Sequence, residues 1–217
     1  MSLPGIPDYP LPRSLPQTRA PFTLDPARAA LLIHDMQAYF CAAYGEGALT
    51  RPTSALSQAV EAIGRLAQAA RRAGVPVFYT AQKGNQFRPD RGLQADLWGA
   101  GMKAQPEHEE IIAPLAPQEG DITLVKHRYS AFQRSNLAPL MRARGRDQLL
   151  ITGIYAHIGC LATATEAFQR DIEPFFVADA LADFSEDWHR RALDWVADCS
   201  GVPVLAQDMV ATLEGQA

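Results

Sequence analysis

The stretch AALLIHD, residues 29–35, is an apolar run that ends on a carboxylate, Asp35. A run of this length predicts a strand buried on both faces, as in a parallel sheet. After it, residues 53–73 carry apolar side chains at steps of three and four, which predicts a helix. Gly74 follows as a residue suited to end that helix. A strand followed by a helix is the unit from which parallel sheets are built.

The same alternation continues along the chain. Further strands are predicted at residues 75–81, 122–126, 148–152, 175–178 and 202–206. Gly145 ends a helix before the run at 148–152, and another helix is predicted at about 160–170. Ser185 is expected to cap a further helix. The buried stripe of that helix is predicted to be Trp188, Ala192, Val196 and Cys199. We therefore predict an α/β fold with a parallel sheet covered by helices on both faces.

Two segments are expected to lie outside this repeating pattern. Residues 1–24 contain six prolines, so they cannot enter a helix or a central strand. We predict an N-terminal arm over 1–24, either lying on the domain or a partner subunit or disordered, and a single domain over 25–217. The irregular residues 82–105, with Trp98, are predicted to form a lid.

Composition excludes several classes of function. The formal net charge is −4, which gives no basic surface for nucleic acid or an anionic membrane. No apolar run reaches the roughly 18 residues of a membrane span, and the N-terminus does not resemble a secretion signal. The three cysteines show no disulfide or zinc spacing, so we expect a cytoplasmic protein.

Polar residues follow several predicted strands, where ligands of parallel sheets bind. They are Asp35, Gln82 and Lys126, followed after the fourth strand by Tyr155, His157, Gly159 and Cys160. Each residue taken alone is more often structural, but their convergence on one rim favours a site. MQAYF after the first strand is too bulky for a dinucleotide turn, and the chain has neither a phosphate-binding GxxxxGK[ST] loop nor a GxSxG nucleophile turn.

Six segments together carry a resemblance to a known family. They are ALLIHDMQAYF (30–40), VFYTAQ (77–82), DLWGAGM (96–102), LVKHRYSAF (124–132), GRDQLLITGIYAHIGC (145–160) and DIEPFFVADALADFS (171–185). In this order they resemble the isochorismatases, within the isochorismatase-like hydrolase superfamily, and PDYPLP (7–12) resembles the family's N-terminus. The resemblance implies a three-layer α/β/α fold around a parallel six-stranded sheet, and a homodimer.

The resemblance also implies an activity and its residues. The expected reaction is hydrolysis of the enolpyruvyl ether of isochorismate to pyruvate and 2,3-dihydro-2,3-dihydroxybenzoate, without metal or cofactor. It assigns catalysis to Asp35 and Lys126. It assigns substrate binding to Phe40, Gln82, Arg91, Trp98, Tyr155 and Gly159, with Cys160 lining the site but not acting as a nucleophile. It further implies a cis peptide bond between Ile154 and Tyr155, and an aryl carrier protein, if one is used, on a separate chain.

The chemistry of a vinyl ether fits these residue types. Its terminal methylene carbon must be protonated before water can add, so the reaction needs a positioned acid. We expect Phe40 and Trp98 to raise the pKa of Asp35 and Lys126 to lower it, unless Lys126 pairs with a substrate carboxylate. Arg91 is the expected carboxylate clamp, with Arg88 as a rival. His127 in KHRYSAF replaces the family's usual tryptophan, which puts the nearby packing in question.

Three alternatives stay open at this point. The first is the same reaction on 2-amino-2-deoxyisochorismate, giving dihydro-3-hydroxyanthranilate. The second is a cysteine amidase of the nicotinamidase type, with Cys160 as nucleophile. This type carries a metal-binding Asp-x-His where the present chain has Gln82-Lys83-Gly84. The third is a non-catalytic module that docks carrier proteins.

Overall fold

Six strands form one parallel sheet. The computed structural model describes residues 3–215. The strands are β1 (Ala29–His34), β2 (Val77–Ala81), β3 (Ile122–Val125), β4 (Gln148–Ile154), β5 (Glu173–Ala182) and β6 (Val202–Val204). Their order across the sheet is β3-β2-β1-β4-β5-β6, with every neighbouring pair parallel. The predicted six-stranded parallel sheet is therefore confirmed.

Helices of very different length connect the strands. They are α1 (Ala38–Cys41), α2 (Ala55–Arg72), α3 (Arg88–Arg91), α4 (Gln94–Trp98), α5 (Pro106–Glu109), α6 (Leu137–Ala143), α7 (Leu161–Phe168), α8 (Glu186–Cys199) and α9 (Ala206–Leu213). Short 3-10 turns cover Ala42–Tyr44 and Ala113–Leu115, and one π-helical turn covers Ala156–Cys160. None of the helices among residues 3–215 has the length and apolar character needed to cross a membrane.

The sheet separates two apolar cores. Along β1, Leu31 and Ile33 face a core shared with α2 and α9, while Ala30 and Leu32 face one shared with α6, α7 and α8. All six residues of β1 are buried, as a central strand with helices on both sides requires. The predicted three-layer α/β/α arrangement is thus present.

The strand order places one edge of the sheet to receive a ligand. From β1 the chain proceeds to β2 and β3 on one side, then returns to β4, β5 and β6 on the other. In such sheets ligands bind beyond the carboxyl ends of the strands where this reversal occurs. The residues that follow β1 and its two neighbours therefore border the expected crevice.

Two elements differ from the sequence prediction. Strand β5 runs over ten residues rather than four, and its extension pairs with the end of β4 beyond a register shift. In α8 the predicted stripe is partly wrong, because Trp188 and Cys199 are exposed. The residues that α8 buries are His189, Ala192, Leu193, Val196 and Ala197. The inward residue is His189, whose Nδ1 lies 3.1 Å from the Tyr9 hydroxyl.

The N-terminal arm packs on its own domain. Ile6, Tyr9 and Leu11 are each buried in the core that contains α2. The backbone N–H of Ile6 donates to the carbonyl of Ala43 at 2.8 Å. The Tyr9 hydroxyl accepts a 2.7 Å hydrogen bond from the backbone N–H of Asp183. The arm is extended, as its prolines predict, and these contacts anchor it.

Replacing Tyr9 with phenylalanine should destabilise the protein. The substitution leaves the buried N–H of Asp183 without its acceptor, a loss of about 1–3 kcal/mol in the free energy of unfolding. Urea unfolding of both proteins measures this difference. Asp8→Asn is the control, because its partner Arg51 is exposed and such pairs contribute at most about 1 kcal/mol. Equal effects of the two substitutions would show that Tyr9 does not anchor the arm.

Candidate active site

Asp35 follows the last residue of β1 in an unusual backbone conformation. Its φ is +49°, in the left-handed region that residues with a side chain other than Asn, Asp and His rarely occupy. The backbone N–H of Asp35 donates to the carbonyl of Thr80 and is also 3.1 Å from its hydroxyl. The bend ends the strand and lets the carboxylate reach side chains from β2 and from the end of β3.

Three donors converge on the Asp35 carboxylate. The Lys126 ammonium lies 2.8 Å from Oδ2, and the Gln82 amide donates to the same oxygen at 3.0 Å. The Thr80 hydroxyl donates to Oδ1 at 2.6 Å. Lys126 is as buried as Asp35, and its ammonium also donates to the carbonyl of Arg128 at 2.8 Å. Asp35 and Lys126 thus form a buried ion pair in which most hydrogen-bond donors and acceptors have a partner.

These contacts lower the pKa of Asp35. Burial is the largest single influence and by itself raises the pKa of the carboxyl. The charge of Lys126 and the hydrogen bonds from Lys126 and Thr80 together outweigh it, so the pKa lies below its ordinary value. In the ligand-free site the lowering effect expected of Lys126 therefore prevails, because Lys126 pairs with Asp35 itself.

The ion pair lies in a pocket whose walls are mainly apolar. The cavity holds about 70 Å³ of space for water-sized molecules and opens to solvent at its mouth. All eight residues predicted for catalysis or binding line it: Asp35, Phe40, Gln82, Arg91, Trp98, Lys126, Tyr155 and Gly159. The lid segment, residues 82–105, contributes Trp98, whose indole donates to the Tyr129 hydroxyl at 2.6 Å. The structure brings these eight residues together in one pocket.

The two candidate arginines occupy different environments. Arg91 lines the pocket and is 7% exposed, and its Nε donates to the carbonyl of Gly99 at 2.7 Å. Among residues 3–215 no carboxylate pairs with it, and burial lowers its pKa. Arg88 is exposed, lies outside the pocket and pairs with Asp96 at 2.6 Å. Of the two, Arg91 is placed to meet a bound anion.

Comparison with known proteins identifies the family. The Isochorismatase domain model matches residues 29–208. The chain belongs to the isochorismatase family. It is 47% identical over 216 residues to the isochorismatase of Bacillus subtilis strain 168, covering 99% of this chain and 68% of that one. It is 45% identical to enterobactin synthase component B of Escherichia coli K12 (97% and 73% covered). It is 44% identical to the phenazine biosynthesis protein PhzD of Pseudomonas fluorescens (96% and 98% covered).

Solved structures share the fold of this isochorismatase-family hydrolase. A cysteine hydrolase from Pseudomonas syringae pv. phaseolicola 1448A superposes with a TM-score of 0.80 at 28% identity, covering 94% of this chain and all of that one. An N-carbamoylsarcosine amidase from Thermoplasma acidophilum gives a TM-score of 0.65 at 28% identity, covering 82% and 96%. Family members of this fold thus include enzymes that use cysteine and enzymes that cleave amides, which makes the position of this chain's cysteines important.

Cys160 does not line the pocket, contrary to the sequence prediction. It is fully buried in the core beside α7, and its thiol points back toward the carbonyl of Thr152 at 4.0 Å. The π-helical turn causes this placement. Its N–H at Cys160 bonds to the carbonyl of Tyr155, five residues earlier, so Gly159 faces the pocket and Cys160 faces the core. Burial raises the pKa of this thiol well above its ordinary value.

Three further predictions concern residues close to the pocket. The peptide bond between Ile154 and Tyr155 is cis, as the resemblance implies. His127 is half-buried and is not among the lining residues. His157 borders a neighbouring groove and pairs with Asp183 at 2.5 Å.

Several pocket residues escaped the sequence analysis. Thr80 and His34 contact the ion pair. Gln37 joins the first residue of the lid segment to α5 through hydrogen bonds to the carbonyls of Gln82 and Glu109 at 2.8 and 2.7 Å. Further lining residues are Leu3, Tyr39, Gln94, Tyr129, Ile158 and Phe184. Thr80 could have been found, because the parallel pairing of β1 with β2 places it opposite His34. Leu3 carries no such signal.

Thiol labelling should separate the three cysteines. Cys199 is exposed, whereas Cys41 and Cys160 are buried, and burial raises the pKa of Cys41 to about 12. Because only an accessible thiolate reacts quickly, we expect iodoacetamide to label Cys199 alone in the folded protein and all three in denaturant. Peptide mass spectrometry measures the sites. Rapid labelling of Cys160 in the folded protein would contradict the burial described above.

Proposed function

We propose that this protein hydrolyses the enolpyruvyl ether of isochorismate to pyruvate and 2,3-dihydro-2,3-dihydroxybenzoate, with Asp35 as the proton donor. The observation that carries the proposal is a carboxyl group paired with Lys126 at 2.8 Å in a pocket that the Cys160 thiol does not enter. The similarity to the Bacillus subtilis isochorismatase at 47% identity supports the same activity.

The reaction requires one proton to reach carbon. Protonated Asp35 donates to the terminal methylene of the vinyl ether, and the electron pair of the double bond forms the new C–H bond. The resulting oxocarbenium ion is captured by water, which loses a proton to give a hemiketal. The bond from the hemiketal carbon to the ether oxygen then breaks, and the hemiketal hydroxyl gives up its proton while that oxygen gains one. The products are pyruvate and the ring alcohol. An acid placed at the carbon is the main demand on the protein.

The donors around Asp35 strengthen it as an acid. When Asp35 gives up its proton, the carboxylate formed is the species that Lys126, Thr80 and Gln82 stabilise. The same contacts keep Asp35 ionised before substrate binds. Isochorismate carries two carboxylates, and negative charge near Asp35 raises its pKa on binding. Substrate binding therefore loads the acid with the proton that the reaction consumes.

The pocket provides an anchor for one substrate carboxylate. Arg91 lines the pocket and its Nε donates to a backbone carbonyl, while among residues 3–215 its remaining N–H groups have no hydrogen-bond partner and are available to a ligand. A guanidinium binds a carboxylate through two parallel hydrogen bonds, which fixes its orientation as well as its position. Phe40, Trp98 and Tyr155 supply the apolar surface against which the carbon ring of the substrate packs.

The alternatives fit the pocket less well. An amidase of the cysteine type needs a thiolate at the substrate, whereas Cys160 is buried with a raised pKa. A docking module has no need of a buried ion pair inside a pocket. The 2-amino analogue of isochorismate is the second candidate substrate, because the chain is 44% identical to the phenazine biosynthesis protein PhzD. Pyruvate release from the two substrates, compared by kcat/KM, decides between them.

Asp35→Asn should abolish turnover while sparing binding. An amide keeps the size of the side chain but has no acidic proton to give to carbon, so we expect kcat to fall about 10²–10⁴-fold. Pyruvate release measured with a coupled dehydrogenase gives the rate.

Cys160→Ala is the matched control for Asp35→Asn. It removes the Cys160 thiol, which lies in the core behind the pocket, and we expect kcat to stay within about tenfold of wild type. Loss of activity in Cys160→Ala with the fold intact would reverse the assignment in favour of covalent catalysis. An Asp35→Asn protein with wild-type kcat would also refute the proposal.

We expect kcat/KM and kcat to depend differently on pH. Because the pKa of free Asp35 lies below its ordinary value, the acid form declines about tenfold for each pH unit above it, and kcat/KM falls as pH rises toward neutrality. In the complex the substrate carboxylates raise the pKa, so kcat holds to a higher pH. Steady-state profiles from pH 4.5 to about 8.5 test this. A kcat/KM that is constant across this range would mean that free Asp35 is already protonated.

Assembly and location extend the proposal. We propose a homodimer, and the exposed apolar side chains of Phe168, Trp188 and Trp195 on α7 and α8 support a buried contact there. Light scattering that gives the mass of one chain would contradict it. The cytoplasmic location, the separate aryl carrier protein and the division into an arm over 1–24 and a domain over 25–217 stay predictions.

A further inference from the structure

We propose that His34 is a positioning residue of this pocket: its imidazole holds Gly159 and the loop after β3 around the ion pair, so that the substrate carbon lies within reach of Asp35. The inference deepens the proposed function. It rests on a ring that is fully enclosed yet borders the pocket, one residue before the acid.

The ring joins segments that are distant in sequence. His34 Nδ1 lies 2.9 Å from the carbonyl oxygen of Ile154, at the end of β4. Its Nε2 lies 3.2 Å from the carbonyl oxygen of Tyr129, in the loop that follows β3. Tyr129 also accepts from the Lys126 ammonium at 3.4 Å. A side chain on β1 thus connects the peptide before Tyr155 to the loop that carries the ammonium.

The ring also occupies the space in front of Gly159. A Cβ atom built on Gly159 would lie 2.2 Å from His34 Cε1 and 2.8 Å from Nε2. Real Cβ contacts do not approach so closely, so position 159 accepts only glycine while the imidazole stays in place. On β4, Gly153 has φ +107° and its Cβ would meet the His34 carbonyl oxygen at 2.2 Å. Two glycines therefore admit this histidine, one against its backbone and one against its ring.

The polar atoms of the ring are used in a specific way. A neutral imidazole has one N–H, so it can donate to only one of the two carbonyls. Burial lowers the pKa of His34 and favours the neutral ring. The shorter contact favours the proton on Nδ1, which donates to the Ile154 carbonyl, so the ring then holds the Tyr129 carbonyl by packing alone and the Lys126 ammonium is the hydrogen-bond donor to it. A filler of the core would not need these polar contacts, whereas a positioning residue does.

Substituting His34 tests the inference. His34→Leu keeps the bulk but removes the donor, and His34→Asn keeps a donor where Nδ1 lies. We expect His34→Leu to lower kcat about 100-fold with a smaller change in KM, because small displacements of reacting groups cost this much. We expect His34→Asn to recover at least a tenfold part of that loss. Equal kcat for His34→Leu and wild type would overturn the proposal, as would equal kcat for the two variants.

A double substitution tests the contact with Gly159. Gly159→Ala should lower kcat at least about 100-fold by displacing the ring. In a His34→Ala background the same alanine should cost less than about threefold, because the obstructing ring is gone. Gly64→Ala is the control, since nothing lies within 4 Å of its added Cβ, and it should leave kcat unchanged. Costs of Gly159→Ala that are equal in both backgrounds would overturn the proposal.

Wild-type pyruvate release is measured first, so the two proposals fail separately. If wild type releases none, the proposed function is wrong. The positioning role is then judged from a crystal structure of His34→Leu, or of His34→Asn if the leucine variant does not fold. We expect the distance from the Lys126 ammonium to Asp35 Oδ2 to lengthen from 2.8 Å to beyond hydrogen-bonding range in His34→Leu, and the Tyr129 carbonyl to move from its wild-type position in His34→Asn, which leaves the space of the ring's Nε2 side empty. An unchanged loop after β3 in the variant would overturn the inference.

Discussion

The contact between Asp35 and Lys126, 2.8 Å long and almost sealed from water, constrains everything around it. Burying two charges costs several kcal/mol each unless they are paired and their remaining hydrogen bonds are satisfied. The two residues follow β1 and β3, which are not neighbours, and β2 between them supplies further donors to the Asp35 carboxylate. Thr80 and Gln82, at the end of β2, do so. The order of the strands in the sheet is thus what brings the partners of Asp35 together.

The need for the Asp35 carboxylate to reach partners on β2 and after β3 explains the left-handed bend at Asp35. A residue continuing the strand would direct its side chain along the sheet face, into one of the apolar cores. With φ at +49°, the chain leaves the sheet at once, and Gln37 can turn back to bond the carbonyl of Gln82. Aspartate tolerates this conformation better than most residues, which is one reason an acid can stand at this point.

The sheet and most of the rim were accessible from sequence because they depend on local patterns. Apolar runs and helical periods are properties of neighbouring residues, and the parallel arrangement then places the strand ends together. The misplaced residues depend on partners far along the chain. Trp188 and His189 both suit the inward face of α8 by sequence, and the inward His189 contacts Tyr9, 180 residues away. The prediction for Cys160 was wrong because of a π-helical turn, which cannot be recognised from residue types. The turn changes which of the residues after Tyr155 face the pocket.

The participation of Leu3 in the pocket wall has a consequence for handling the protein. Between Leu3 and the anchored Tyr9 the chain includes exposed Pro4 and Gly5, where a protease can cut without entering the sheet. A molecule trimmed there would keep both cores and nearly the same melting temperature, yet its pocket would lack one wall. Two preparations indistinguishable by circular dichroism could then differ in their affinity for the same ligand, and the intact mass would reveal which had been assayed.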